Sequence, residues 1–186
     1  LEKNINVICE KPLAINQTQL DDIEKAVKAS KAQLGVCFQT RYNRSFTELK
    51  KIIRPEEVIA AYANLVWVRD KAYYDSGAWR GTKDKEGGGV LINQAIHSLD
   101  LLLWVCGMPK SIVAHCFDDS LKGVIEVEDT VHGVYDLGDN RNFILNATNA
   151  SKTCFTNVLS FVTKDKTAVL YGDELFVNGE RITFAD

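Results

Sequence analysis

The sequence predicts an α+β protein in two parts: one parallel strand–helix–strand unit, then a longer segment rich in antiparallel strands. Three observations predict it. Residues 5–9, 17–30 and 34–38 read as strand, helix and strand, which is one βαβ unit with a right-handed crossover. Residues 90–106 carry the strongest helical pattern. After residue 110, six strand-like runs follow one another, separated by turn signals such as Gly138-Asp139-Asn140 and Asn178-Gly179. A parallel unit followed by hairpins implies two domains of different architecture.

Each element has its own justification. Ile5-Asn6-Val7-Ile8-Cys9 is a short apolar strand, ended by Pro12. In the next segment Leu20, Ile23 and Val27 share one helical face. Thr18 is placed to cap that helix, with Asp21 and Asp22 in the first turn, where the helix dipole favours negative charge. Leu34-Gly35-Val36-Cys37-Phe38 is the second strand. Ser45-Phe46-Thr47-Glu48 has the spacing of a capping box and opens a helix with Phe46, Leu49, Ile52 and Ile53 inward, stopped before Pro55. Residues 58–68 are β-branched and aromatic, and predict a strand. A polar loop over 69–86 carries Trp79 and Arg80. Gly87-Gly88-Gly89 leads into the helix at 90–106, which Gly107 and Pro109 end. The later strands are 111–117, 130–135, 142–149, 157–163, 167–171 and 174–177.

Composition narrows the function classes. Of 186 residues, 46% are hydrophobic and 25% charged, the balance of a globular protein, and the net charge is −3. Lysine and arginine are scattered, so no basic footprint for nucleic acid exists. No apolar run is long enough to span a bilayer, because His97, Ser98 and Asp100 interrupt the longest. Five cysteines without close pairing or metal spacing, and no secretory signal, place the chain in the cytoplasm as an expectation.

Three places could carry chemistry. Lys11 follows the first strand, where the C-terminal ends of open parallel sheets face a ligand crevice; an isolated lysine there otherwise points to water. Asn93 and His97 are one turn apart on a helix whose other positions are apolar, with Asp100 further along the same side. On periodicity alone, that histidine is a core residue satisfied by Asp100 or by a backbone carbonyl. Gly87-Gly88-Gly89 could offer backbone N–H groups to an anion, but lacks the G-x-G-x-x-G pattern, and a tight turn under a buried helix fits it better. His115 and Cys116 point to opposite faces of a strand, which disfavours zinc, and His132 reads as structural.

Taken in order, Cys9-Glu10-Lys11-Pro12-Leu13-Ala14, Gln39-Thr40-Arg41-Tyr42-Asn43, Trp79-Arg80-Gly81 and the run from Gly87 to Asp100, with Val127-Glu128-Asp129-Thr130 as a later landmark, resemble the Gfo/Idh/MocA oxidoreductases. That family includes glucose–fructose oxidoreductase and inositol dehydrogenase. The resemblance implies that residues 1–42 are the tail of a Rossmann domain. Residues 43–186 would be a substrate and dimerisation domain, an open-faced, mostly antiparallel sheet with helices on one side. It also implies that the chain is a fragment: without the family's glycine-rich turn it would neither bind cofactor usefully nor turn over alone. A cis Lys11–Pro12 bond is a further expectation.

The reaction implied is hydride transfer between NAD or NADP and a sugar, cyclitol or nucleotide-sugar hydroxyl. By resemblance, Lys11 and His97 are catalytic: the lysine stabilises developing alkoxide charge and the histidine is the general base. Asn93, Arg41, Tyr42 and Arg80 face substrate; Glu10, Lys11, Trp79 and Arg80 face cofactor. Asn93 stands where the inositol branch carries aspartate, so no carboxylate is assigned to a proton relay. The Asn93-Gln94 pair is similar to branches acting on nucleotide sugars or other amino- or carboxyl-bearing sugars. A homodimer or higher oligomer through the open sheet face is expected, and no metal, nucleic acid or membrane partner. The competing expectations are a non-catalytic interaction module and a decayed, inactive family member.

Overall fold

The computed structural model describes residues 1–118 and 120–184. Strands β1 (Val7–Glu10) and β2 (Leu34–Cys37) pair in parallel, joined by helix α1 (Gln17–Ala29). The expected βαβ unit is present with different capping. Asn16, not Thr18, caps α1, its side chain accepting the Gln19 N–H at 2.9 Å. The helix starts two residues earlier than the threonine cap required, which leaves Asp21 and Asp22 beyond the first turn.

A 3-10 turn, Gln39–Tyr42, leads into α2 (Arg44–Ile52). The expected capping box does not form. Asn43 occupies the cap position, so Ser45 falls inside the first turn, buried, its Oγ without a partner among the described residues. The inward face is as the pattern requires, with Phe46, Leu49 and Ile53 buried.

The main sheet has eight strands: β3 (Ala60–Val66), β4 (Ser111–Phe117), β5 (Thr130–Gly138), β6 (Arg141–Thr148), β7 (Val158–Val162), β8 (Thr167–Tyr171), β9 (Glu174–Val177) and the short β10 (Glu180–Arg181). Their order is β10-β9-β8-β7-β3-β6-β5-β4, and only the central pair β3–β6 is parallel. Left-handed backbone at Asp139 and Asn140, and at Asn178 and Gly179, makes the tight turns that the sequence marked. β10 was not expected, since two residues carry no alternation to read.

Alternate residues of the central strands point into one core: Ala61, Ala63 and Leu65 on β3, Phe143 and Leu145 on β6, Leu159 and Phe161 on β7. Small alanines on β3 let the covering helix lie close. The polar segment contains two short helices, α3 (Lys71–Asp75) and α4 (Lys83–Glu86). The single helix expected over 90–106 is two, α5 (Val90–Asn93) and α6 (Ile96–Cys106), and the axes of 83–93 and 96–106 differ by 54°. The Val90 carbonyl accepts from both the Gln94 and Ala95 N–H groups, which opens the turn there and lets the chain change direction. No single helix is long and apolar enough to cross a membrane.

The face away from the helices is laid out in cross-strand rows. Val113, Val134, Ile144 and Tyr62 are successive partners across β4, β5, β6 and β3, continued by Ser160, Val169 and Phe176. The adjacent row is polar: His115, His132, Asn146 and Asn64. There His132 Nδ1 meets Asn146 Oδ1 at 2.9 Å and Asn146 donates to Asn64 at 3.0 Å. The open face therefore alternates one apolar row with one polar row across β4, β5, β6 and β3. In the strands expected over 130–135 and 157–163, Val131, Tyr135, Leu159 and Phe161 point into the core instead.

Candidate active site

Lys11 stands directly beyond β1, and its peptide bond to Pro12 is cis. The ammonium donates to the main-chain carbonyl of Asn93 at 2.7 Å and lies 3.5 Å from Asn93 Oδ1. Burial lowers the Lys11 pKa, while the charges of Glu10 and Glu86 oppose that shift. A strand end of the parallel unit is thus tied to a helix end over the antiparallel sheet.

Asn93 is the last residue of α5. Its side-chain amide donates to one oxygen of Glu86, and the Gly81 N–H donates to the other. Glu86 closes α4 and is 6% exposed. The next residue, Gly87, has φ +81°, and a Cβ there would meet Ile15 at 2.5 Å. Only glycine lets the chain turn so closely against the loop after Lys11.

His97 lies in the first turn of α6, half-buried, its ring edge-on to Phe38 with centroids 6.2 Å apart. Burial first, and the positive charge of Lys11 second, hold its pKa below the ordinary value against Asp100 and Glu10. Its Nδ1 is buried without a partner among the described residues. The expectation that Asp100 satisfies this histidine is therefore corrected. Asp100 takes a bidentate pair from Arg41 instead, at 2.7 and 2.5 Å. Asn93 and His97 do not share one continuous helix face, and the bend between α5 and α6 is what places both near Lys11.

The other sequence-selected residues divide. The Arg41 guanidinium is held by Asp100 and packs on the Phe38 and Trp104 rings at 5.5 and 5.4 Å. Tyr42 is 84% exposed. Arg80 is sandwiched between Tyr73 and Trp79, 4.4 Å from each ring centroid, and donates to the Tyr73 hydroxyl. That hydroxyl also receives Gln94 Nε2 at 3.3 Å, and Gln94 Oε1 accepts from Asn149 at 2.8 Å. The Asn93-Gln94 pair therefore splits, one toward Lys11 and one into the core.

The glycine run holds an anion of its own. The Glu128 carboxylate accepts the N–H groups of Gly89 and Leu91 at 2.9 and 3.0 Å, and its carbonyl accepts that of Val90. A Cβ on Gly89 would lie 1.8 Å from the Glu128 carbonyl oxygen. The run is a close-packed turn under a helix, with its N-terminus already capped. Glu86 and Glu128 are the two residues to which the sequence alone assigned no role. The available signal was their position, one beside the glycines and one inside a landmark motif. His115 and Cys116 alternate faces on β4, paired with His132 and Val131. Among the described residues, no three His, Cys, Asp or Glu side chains are gathered to hold a metal.

A parallel unit that delivers a lysine to helices over an open, mostly antiparallel sheet is the architecture of the C-terminal domain of a large oxidoreductase family. Residues 46–176 match the GFO/IDH/MocA C-terminal domain, and the chain belongs to that family. Among curated proteins it is 29% identical over 107 residues to an Amycolatopsis mediterranei protein provisionally named UDP-kanosamine synthase oxidoreductase subunit, covering 58% of this chain and 29% of that protein. It is 27% identical over 119 residues to the D-glucoside 3-dehydrogenase of Escherichia coli K12, covering 63% and 34%. Among solved structures it resembles the WlbA dehydrogenase of Bordetella pertussis in complex with NADH and UDP-GlcNAcA, with a TM-score of 0.83 and 28% identity, over 90% of this chain and 49% of that one. The matches span 29 to 49% of those proteins' length.

Proposed function

We propose that this chain forms the substrate-facing half of an NAD(H)-dependent dehydrogenase acting on a hydroxyl of a sugar or nucleotide sugar. One observation carries the reading: Lys11, Asn93 and His97 meet where the parallel unit joins the helices, with a partly desolvated ammonium beside a half-buried imidazole. Relatives named for sugar and nucleotide-sugar dehydrogenation, one of them solved with NADH, support it. The domain division at 42/43 belongs to the same proposal.

Burial and the Lys11 charge keep His97 neutral near neutral pH, as a base must be. In the oxidative direction His97 takes the substrate hydroxyl proton, and Lys11 hydrogen-bonds the same oxygen as charge builds on it. Asn93 orients that hydroxyl without carrying its proton. The Lys11 ammonium, with the Glu10 charge acting on it, would hold the nicotinamide end of a dinucleotide, and Glu10, Trp79 and Arg80 are proposed to complete that contact. When bound, the cofactor exchanges the hydride. Arg41 works through Asp100, which fixes the helix bearing His97.

Both faces of the β1–β2 pair support a further covering half. Ile8 is 82% exposed on one side, and an apolar groove of about 600 Å³ lined by Ile5, Val7, Leu13, Ile23 and Leu34 lies on the other. Parallel sheets are ordinarily covered on both faces. The open face of the main sheet, with its apolar row, is proposed as a contact between two copies.

The test is calorimetric titration with NADH and NADPH, first of this chain and then of the longest natural reading frame that contains it. Turnover assays against nucleotide sugars, glucosides and cyclitols follow. Loss of about 10²–10⁴-fold in kcat on His97→Ala, with cofactor binding retained, is expected. Unchanged kcat in that variant would overturn the assignment.

A further inference from the structure

Glu86 lies outside every role assigned so far, yet it is the most deeply buried carboxylate beside the lysine. One of its oxygens accepts the Gly81 N–H and the other accepts the Asn93 amide. A carboxylate can only accept, so the Asn93 group facing it must be the NH₂ end. That choice turns Asn93 Oδ1 to the opposite side, where it lies 3.5 Å from Lys11 Nζ. Were the amide reversed, its NH₂ would face the ammonium and its oxygen would face the carboxylate, two repulsions in place of two attractions. The Asn93 main-chain carbonyl, 2.7 Å from the same ammonium, then completes a two-acceptor seat for Lys11.

We propose that Glu86 is a positioning residue: it sets the Asn93 amide so that the asparagine presents two oxygens to Lys11. Lys11 thereby keeps one N–H free for a ligand oxygen, and its ammonium stays charged despite partial burial. The Glu86 charge acts on Lys11 in the direction this requires. The inference adds to the proposed function a residue that touches neither substrate nor cofactor, and it stands or falls separately from turnover.

The experiment needs no cofactor and no substrate. In the unmutated chain, NMR follows the Lys11 ε-methylene and the Asn93 side-chain amide from neutral to acid pH. Lys11 also feels the charge of Glu10, so the Asn93 amide is the signal that reads the seat: its NH₂ protons are expected to shift as acid protonates the carboxylate they bind. In Glu86→Gln one acceptor oxygen must serve both the Gly81 N–H and the Asn93 NH₂, and the charge is gone. The Lys11 midpoint at alkaline pH is then expected to fall, and the Asn93 amide to lose its slowed hydrogen exchange. Glu86→Asp, which restores the charge, is expected to recover the Lys11 midpoint in part. A Glu86 that only closes the turn at Gly81 would change the unfolding midpoint and leave the hydrogen exchange of the Asn93 amide where it was. An Asn93 side-chain amide that stays unmoved through the acid titration of the unmutated chain overturns the proposal, even if Glu86→Gln fails to fold. So does an unchanged Lys11 midpoint in a folded Glu86→Gln.

Discussion

Lys11 Nζ donates to the main-chain oxygen of Asn93, 82 residues later in sequence, and so ties the end of β1 to the end of α5. The same ammonium bears on His97, whose pKa it helps to lower after burial. Removing it with Lys11→Ala should raise the His97 midpoint toward its ordinary 6.5. The sign for stability follows. The folded histidine binds its proton less readily than the unfolded one, so stability falls as pH drops from 6.5 through the lowered midpoint. Histidine NMR titration of both proteins checks this, and an unmoved midpoint would separate the two residues.

Arg41 and Asp100 should be unequal partners in stability. The Asp100 side chain is 9% exposed and that of Arg41 37%. Arg41→Ala leaves a buried carboxylate without its cation and should cost about 3 kcal/mol. Asp100→Ala frees a guanidinium that can turn to water, and should cost about 1–2 kcal/mol once solvent screening is allowed for. Urea unfolding of both variants decides it, and a reversed order would show that the arginine packs chiefly on Phe38 and Trp104.

Most of the fold was legible because its signals are local. Alternation marked six strands after residue 110, and Asn178-Gly179 marked its turn. Local signals also failed where tertiary contacts outvoted them. Thr18 and Ser45 had capping spacing, but Asn16 and Asn43 lay two residues upstream and took the caps. The run 90–106 contains no Gly or Pro, so nothing in it announced the break that the shared Val90 carbonyl creates. Lys11, Asn93 and His97 were found through a family pattern, and their contacts were not. No spacing rule links residue 11 to residue 93, or turns Asp100 from His97 to Arg41.

The glycine run offers a test of packing. Gly89→Ala would set a Cβ 1.8 Å from the Glu128 carbonyl oxygen, backbone against backbone, with no flexible side chain to yield. The cost should reach or exceed the upper end of the roughly 1–3 kcal/mol typical of overpacking. Gly123→Ala is the comparison: its φ of +79° is strained for alanine, but no atom lies within 4 Å of the added Cβ. It should cost only about 1 kcal/mol. Thermal unfolding of the pair measures the difference, and equal losses would mean that the turn at Gly89 can open without penalty.

The last prediction concerns the open sheet face. Val113, Val134, Ile144 and Tyr62 form an apolar row across four strands, and Val113, Val134 and Tyr62 are 66, 48 and 40% exposed. Helices cover the other face, and β4 is an edge strand exposed along its whole length. If two copies meet here, the row is the part that loses water, at about 25 cal/mol per Å² of apolar surface. The hydrogen-bonded row of His132, Asn146 and Asn64 beside it has its side-chain needs largely met within one copy, so it can be covered without stranding them. Val134→Lys puts a charge in the middle of the row, where burial in a dimer would strand it. The expected result is a dimer for the unmutated chain in sedimentation equilibrium and a monomer for Val134→Lys, with the same far-ultraviolet circular dichroism. Lys164→Glu, on the turn after β7 and away from the row, should leave the dimer intact. An unmutated chain that stays monomeric at high concentration overturns the contact, and a Val134→Lys protein that stays dimeric moves it to another surface.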